Sequence, residues 1–155
     1  MTLVELPRGA DRARVRPLLE LADDAPREVD AVLAEDRIFV LVDGDALVGE
    51  AAIADRGEGV VELRSLAIAA AHQGQGRGRA LVEALLERLR GEGVRRVIVA
   101  TAIAGLGVVR FYLRLGFRAS SIERDAFTPE RGYPSGLQEG GIPILDRIWF
   151  DLDLA

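Results

Sequence analysis

The stretch from Val60 to Arg90 constrains the fold more than any other part of this chain. A strand-like run at Val60–Ala69 leads through His72-Gln73-Gly74-Gln75-Gly76-Arg77-Gly78-Arg79 into the strongest helical pattern of the sequence. Between Gly76 and Arg90, Leu81, Val82, Leu85, Leu86 and Leu89 recur at helical spacing, and Arg79, Glu83, Glu87 and Arg90 take the wet side. Gly91 and Gly93 stop the helix. Alternating glycines let the backbone approach a ligand closely, and the helix start adds unpaired N–H groups and partial positive charge. The combination makes an anion site suited to phosphate or pyrophosphate.

The rest of the chain alternates strand and helix, which predicts a mixed α/β domain. A short strand is expected at Thr2–Glu5, then a helix from Arg12 to about Leu21 capped by Asp11. Pro26 opens a second helix to about Ala34. Arg37–Val42 and Ala46–Ala54 flank Asp43-Gly44-Asp45 and read as a hairpin. Val94–Thr101 is apolar enough to lie centrally in a sheet, and Leu106–Leu115 is a further helix closed by Gly116. Arg118–Arg124 and Arg147–Leu154 read as the last strands, joined by the Pro- and Gly-rich loop 125–145. A loop of that length in a compact domain is usually functional or disordered.

Composition excludes several chemistries. The 155 residues include no Cys, no Lys and no Asn, and all 20 basic residues are Arg. Without Cys there are no disulfides, thiolate nucleophiles or Cys-ligated zinc. Without Lys there is no Walker A phosphate loop and no Schiff base. A single His, His72, rules out a multi-His metal site, and no metal is expected. The net charge of −5 argues against nucleic-acid binding. No run approaches the roughly 20 apolar residues of a membrane span, so a soluble cytoplasmic protein is the expectation.

A dinucleotide fingerprint fits the glycine loop poorly, because Gly74-x-Gly76 is followed three residues on by Arg79 instead of Gly. Gln73-x-x-Gly76-x-Gly78 instead resembles the Gln/Arg-x-x-Gly-x-Gly/Ala signature of the GNAT superfamily of acyl-CoA-dependent N-acyltransferases. Arg110-Phe111-Tyr112-Leu113-Arg114-Leu115-Gly116-Phe117 resembles that family's second block, in which Phe-Tyr and Gly-Phe bracket one helical turn. The resemblance covers about residues 35–124. It implies one GNAT-like domain over residues 1–155, with a mixed, mostly antiparallel sheet of about six or seven strands flanked by about four helices.

The resemblance also implies acetyl-CoA as co-substrate, with its thioester and pantetheine along Leu66, Ala67 and Ile68. The pyrophosphate would rest on Gly74, Gln75, Gly76, Arg77, Gly78 and Arg79. Residues 70–96 hold six Arg and three Glu, a local surplus suited to an anion in an acidic chain. Tyr112 matches the family's usual general acid for the leaving thiolate; packing as a core aromatic beside Phe111 is the structural alternative. Glu62 is the expected general base, because strict alternation puts it on one strand face with Arg64, Leu66 and Ile68. A structural Glu62–Arg64 pair is the alternative, and Glu50, Glu123 and Asp125 stay open as bases. His72 reads as a solvated loop residue. Many relatives carry an Asn six residues before the Phe-Tyr pair, where this chain has Gly105.

The implied reaction is direct acetyl transfer to the primary amine of a small molecule or peptide. Asp11–Asp36 holds eight acids against four Arg, which suits a cationic acceptor as well as solvated helix faces. Phe127 and Tyr133 of the long loop are placed to cover the acceptor or to anchor the loop. Family members are often dimers, so a homodimer is carried as an expectation. A module that binds acyl-CoA without turnover is the rival function.

Overall fold

The alternation of apolar runs closes into one seven-stranded sheet with helices on both faces in the computed structural model, which describes residues 1–9 and 11–155. The strands are β1 (Thr2–Leu6), β2 (Arg37–Asp43), β3 (Ala46–Gly57), β4 (Val60–Ile68), β5 (Arg96–Ala102), β6 (Arg118–Glu123) and β9 (Arg147–Asp153). They lie in the order β1-β2-β3-β4-β5-β9-β6. Every neighbouring pair is antiparallel except β4–β5. The four helices are α1 (Arg16–Ala22), α2 (Pro26–Glu35), α3 (Arg77–Gly91) and α4 (Leu106–Arg114). The mixed, mostly antiparallel α/β architecture expected from the sequence is the one observed.

The leucine stripe of α3 is buried against Phe39, Val48, Ile53, Leu63, Val97 and Phe150 in the main core. A second cluster on the opposite face joins Val15 and Leu19 to Val29 and Val32 of α2 over Ile38, Val40 and Ala52. The β2–β3 hairpin closes at Asp43↔Ala46, with Gly44 at a φ of 60° that a glycine adopts without strain.

Three local features differ from the sequence reading. The first helix begins as a 3-10 turn, Arg12–Val15, and α1 proper starts at Arg16. Pro17 is the cause: it has no N–H to return to Ala13, whose carbonyl takes the Arg16 N–H instead. Asp11 does cap this turn, accepting from the Ala13 N–H at 3.1 Å. The long loop contains a 3-10 turn at Pro129–Arg131 and a small hairpin of β7 (Gln138–Glu139) and β8 (Ile142–Pro143). The third difference bears on the site. In β4, Ser65 pairs with Ala52 but Leu63 pairs with Ile53, so Arg64 is an extra, bulged residue. Alternation therefore reverses at Arg64. Val61 and Leu63 before it, and Leu66 and Ile68 after it, all turn to the main core. The expectation that Glu62 shares a face with Leu66 and Ile68 is corrected accordingly.

Candidate active site

The parallel β4–β5 ladder runs only from Val60↔Arg96 to Leu63↔Val99. Beyond it the two strands part, so the β4 stretch that follows has β3 on one side and, among the described residues, no strand on the other. A groove of about 900 Å³ opens there. Its floor is Leu66, Ala67 and Ile68, one end is the glycine loop, and the far wall is α4 with Gly107, Phe111 and Tyr112. The geometry suits an extended ligand that hydrogen-bonds along a strand edge.

The glycine loop is shaped by backbone torsions that L side chains resist. Gly74 and Gly76 have φ values of 74° and 76°, and Gly76 caps α3 without any side-chain bond to the first-turn N–H groups. The Gln73 side-chain amide donates to the Ile68 carbonyl at 2.9 Å and ties the loop to the strand end. Gly74, Gly76, Arg77, Gly78 and Arg79 all line the groove; Gln75 does not, its side chain pointing to solvent. His72, expected as a solvated loop residue, is half-buried and lines the groove too.

Sequence reasoning missed two cations. Arg110 and Arg114 of α4 also line the groove and, among the described residues, make no salt bridge. Their signal was present: like charges four apart on one helix face repel, and no acid in α4 answers them. Among the described residues, four Arg and no carboxylate therefore line this groove.

Tyr112 packs as a core aromatic and also reaches the groove. Only 4% of it is exposed, and its ring packs edge-on against Phe111 and Phe117 at 5.2 and 5.4 Å. Burial, and secondarily the charge of Glu50, push its phenol well above the usual range, so the hydroxyl keeps its proton.

Glu50 of β3 is fully buried. The Ser65 hydroxyl donates to its Oε1 at 2.6 Å, and its Oε2 has no partner among the described residues. Burial pushes this carboxyl up to about 8, with the Ser65 hydrogen bond opposing.

A second pocket of about 320 Å³ shares Leu21 and Val108 with the groove. Asp23, Asp24, Glu28, Glu62 and Glu139 line it against Arg64 and Arg147. Glu62 lies here and not in the groove, paired with Arg56 at 2.7 Å. The Glu62–Arg64 pair weighed from sequence does not form; Arg64 holds Asp36 at 3.0 Å and Glu28 at 3.2 Å. Phe127 and Tyr133 of the long loop stack edge-on at 5.0 Å and form one wall, with Arg147 over the Phe127 ring. The Tyr133 hydroxyl reaches Asp23 at 3.5 Å, and burial beside that acid pushes its phenol up to about 12. Asp23 is itself raised by burial. Of the other carboxylates left open as bases, Glu123 is held by Arg131 and the Trp149 ring N–H, and neither it nor Asp125 lines either cavity.

Gly105, where the family resemblance led to an expected Asn, caps α4 and lines the second pocket. α4 starts there regardless, because the Val108 and Val109 N–H groups both find the Gly105 carbonyl at 3.0 Å.

Comparison with known proteins agrees with this geometry. The model of the acetyltransferase (GNAT) family matches residues 9–117. The uncharacterized N-acetyltransferase YvbK of Bacillus subtilis is 28% identical over 137 residues, 88% of this chain and 87% of that protein. A Bacillus subtilis acetyltransferase solved in complex with CoA superposes with a TM-score of 0.88 at 25% identity, over 99% of this chain and 98% of that one. A GNAT family acetyltransferase from Elizabethkingia anophelis with acetyl-CoA bound shares the fold, with a TM-score of 0.88 at 22% identity over 98% and 97% of the two chains. The glycine loop, the parted strands and the family match together mean that the chain belongs to the GNAT acetyltransferase family and is an acetyl-CoA-dependent N-acetyltransferase.

Proposed function

We propose that acetyl-CoA lies in the larger groove and that a primary amine, cationic in solution, reaches it through the acid-lined pocket. The observation that carries this reading is the contrast between two cavities that share Leu21 and Val108. One is lined by four Arg and no acid, the other by five acids against two Arg. Opposite charges thus sort an anionic donor from a cationic acceptor and bring them to a common edge.

In the proposed pose the pyrophosphate rests on Gly74, Gly76, Arg77, Gly78 and Arg79. The pantetheine follows Leu66, Ala67 and Ile68 along the open edge of β4. Acetyl-CoA supplies an activated acyl group as a thioester. The amine nitrogen, once deprotonated, attacks the acetyl carbon directly in the ternary complex. An N–C bond forms, the C–S bond breaks, and the electron pair leaves on sulfur. The nitrogen gives up a second proton to solvent, which replaces the one Tyr112 supplies to the sulfur. Glu62 is the proposed base, taking the ammonium proton directly or through water and passing it to solvent. Tyr112 is the proposed acid. Its tightly held proton keeps the phenol available as a donor to the departing sulfur throughout the neutral range.

Release of CoA thiol across a panel of diamines, polyamines, aminoglycosides and basic peptides tests the reading. Turnover on cationic amines is expected. Tight acetyl-CoA binding with no turnover on any amine would point to a binding module. Tyr112→Phe keeps the ring packing, so turnover should fall about a hundredfold or more while acetyl-CoA affinity changes little. Wild-type turnover in that variant removes the assigned role.

A further inference from the structure

Glu50 has no task in the reading above, although its environment is unusual. It stands on β3 opposite Val40 of β2 and Ala67 of β4, the middle residue of the groove floor. The Ser65 hydroxyl donates to one oxygen, and the other is buried without a partner among the described residues. Among the described residues, no cation is set against it. α1 turns buried Leu18 and Leu19 inward, while its Arg16 pairs with Glu20 and Asp30 outside. Glu28 and Asp36 are held by Arg64, and α3 offers Leu81 and Val82. The titratable group that registers its charge is Tyr112 of α4.

A buried carboxylate with one hydrogen bond and no counter-charge is costly, so the group keeps its proton at neutral pH. Shape alone does not call for an acid there, since Gln fills the same space without a titrating proton. Beneath a thioester the protonation state matters. Negative charge builds on the acetyl oxygen and then on the sulfur as transfer proceeds, and a carboxylate under Ala67 opposes both.

We propose that Glu50 is a positioning residue for acetyl transfer: its neutral carboxyl group braces Ser65 and the groove floor without adding charge, and its ionised form suppresses thiolate formation above Ala67. This rests on the cofactor placement proposed above. It predicts an alkaline loss of activity set by Glu50, well below the pH at which Tyr112 ionises. The sequence leaves little else to titrate in that range, with no Cys, no Lys and one His.

The test uses CoA itself as probe on the full chain. The thiol of saturating bound CoA is titrated by its thiolate ultraviolet absorbance between about pH 6 and about pH 11, with binding followed by calorimetry. In Glu50→Gln the bound thiol should be about tenfold more acidic than in the wild type, a shift of about one pH unit. Ser65→Ala removes the bond that favours the Glu50 carboxylate, so Glu50 ionises later and the bound thiol should also become more acidic than in the wild type. If Glu50→Gln does not fold, Ser65→Ala decides. CoA that binds all three proteins with the same thiol titration overturns the role of Glu50 alone. CoA that fails to bind the wild type overturns the cofactor placement, and this proposal with it.

Discussion

Gly49 offers a sharp test of how the groove floor is built. It lies on β3 in register with Ile68, and a Cβ added there would stand 2.6 Å from Ile68 Cδ1 and 2.8 Å from the Ala67 carbonyl oxygen. The Ile68 methyl sits at the end of a flexible side chain and can turn away. The Ala67 oxygen is backbone, and the Ala69 N–H to Val48 carbonyl bond of 2.8 Å pins the strands together just beyond it. Restoring ordinary contact means moving that oxygen by about 0.6 Å, from 2.8 Å to roughly 3.4 Å. Overpacking of this kind costs about 1–3 kcal/mol. For a chain of this size that is a Tm loss of roughly 2–12 °C. The strand that must shift is the groove floor, so Gly49→Ala should also weaken acetyl-CoA binding. Gly91→Ala is the control: at the end of α3, a Cβ there meets nothing within 4 Å, and Tm should hold or rise slightly. Thermal melts and acetyl-CoA calorimetry on the two variants decide the matter. A Gly49→Ala protein as stable as Gly91→Ala, with wild-type acetyl-CoA affinity, refutes the argument.

Reversing either unpaired cation, Arg110→Glu or Arg114→Glu, should raise KM for acetyl-CoA by roughly three- to tenfold at low salt, and by less at high salt. Steady-state kinetics at two ionic strengths measures both effects. Tyr133→Ala removes a wall of the acid-lined pocket, so it should raise KM for the amine while KM for acetyl-CoA stays put. The Glu50 carboxyl is raised to about 8 in the fold, so folding binds its proton more tightly than the unfolded chain does. Its contribution to stability is complete below the ordinary carboxylate range and is lost as pH rises towards about 8. The Tm of Glu50→Gln relative to wild type should therefore climb from about pH 4.5 to about pH 8, and a flat difference contradicts the shift.

Much of the scaffold was legible because its elements obey simple periods. The α3 stripe, the Pro26 helix start and the Gly44 hairpin each rest on neighbours a few residues away. The bulge at Arg64 left a trace, since the polar pair Arg64-Ser65 breaks the alternation of Val-Glu-Leu-Arg-Ser-Leu, but only the pairing with Ala52 and Ile53 shows which residue is extra. That single slip moved Glu62 off the face of Leu66 and Ile68. The placement of Glu50 escaped for a related reason. Glu50 is the one acid in the apolar run Ala46–Ala54, and what surrounds it shows only when the layers on both sides of the sheet are assembled. The division of charge between the two cavities was half visible, in the acidic residues 11–36 and the basic residues 70–96. Arg110, Arg114 and Glu139 complete it from parts of the chain that only the fold brings near.

The parting of β4 from β5 has a consequence for the life of the protein between turnovers. A central strand that loses its neighbour exposes main-chain donors and acceptors in the middle of the sheet. Any ligand lying along that edge acts as a replacement for the missing strand, and its binding energy adds directly to folding stability. At a hundred times its dissociation constant such a ligand adds about 2.7 kcal/mol. The amide hydrogens after Leu63 should then exchange slowly when the groove is filled and faster when it is empty. The lifetime of the folded chain would in that way follow the supply of its acyl donor.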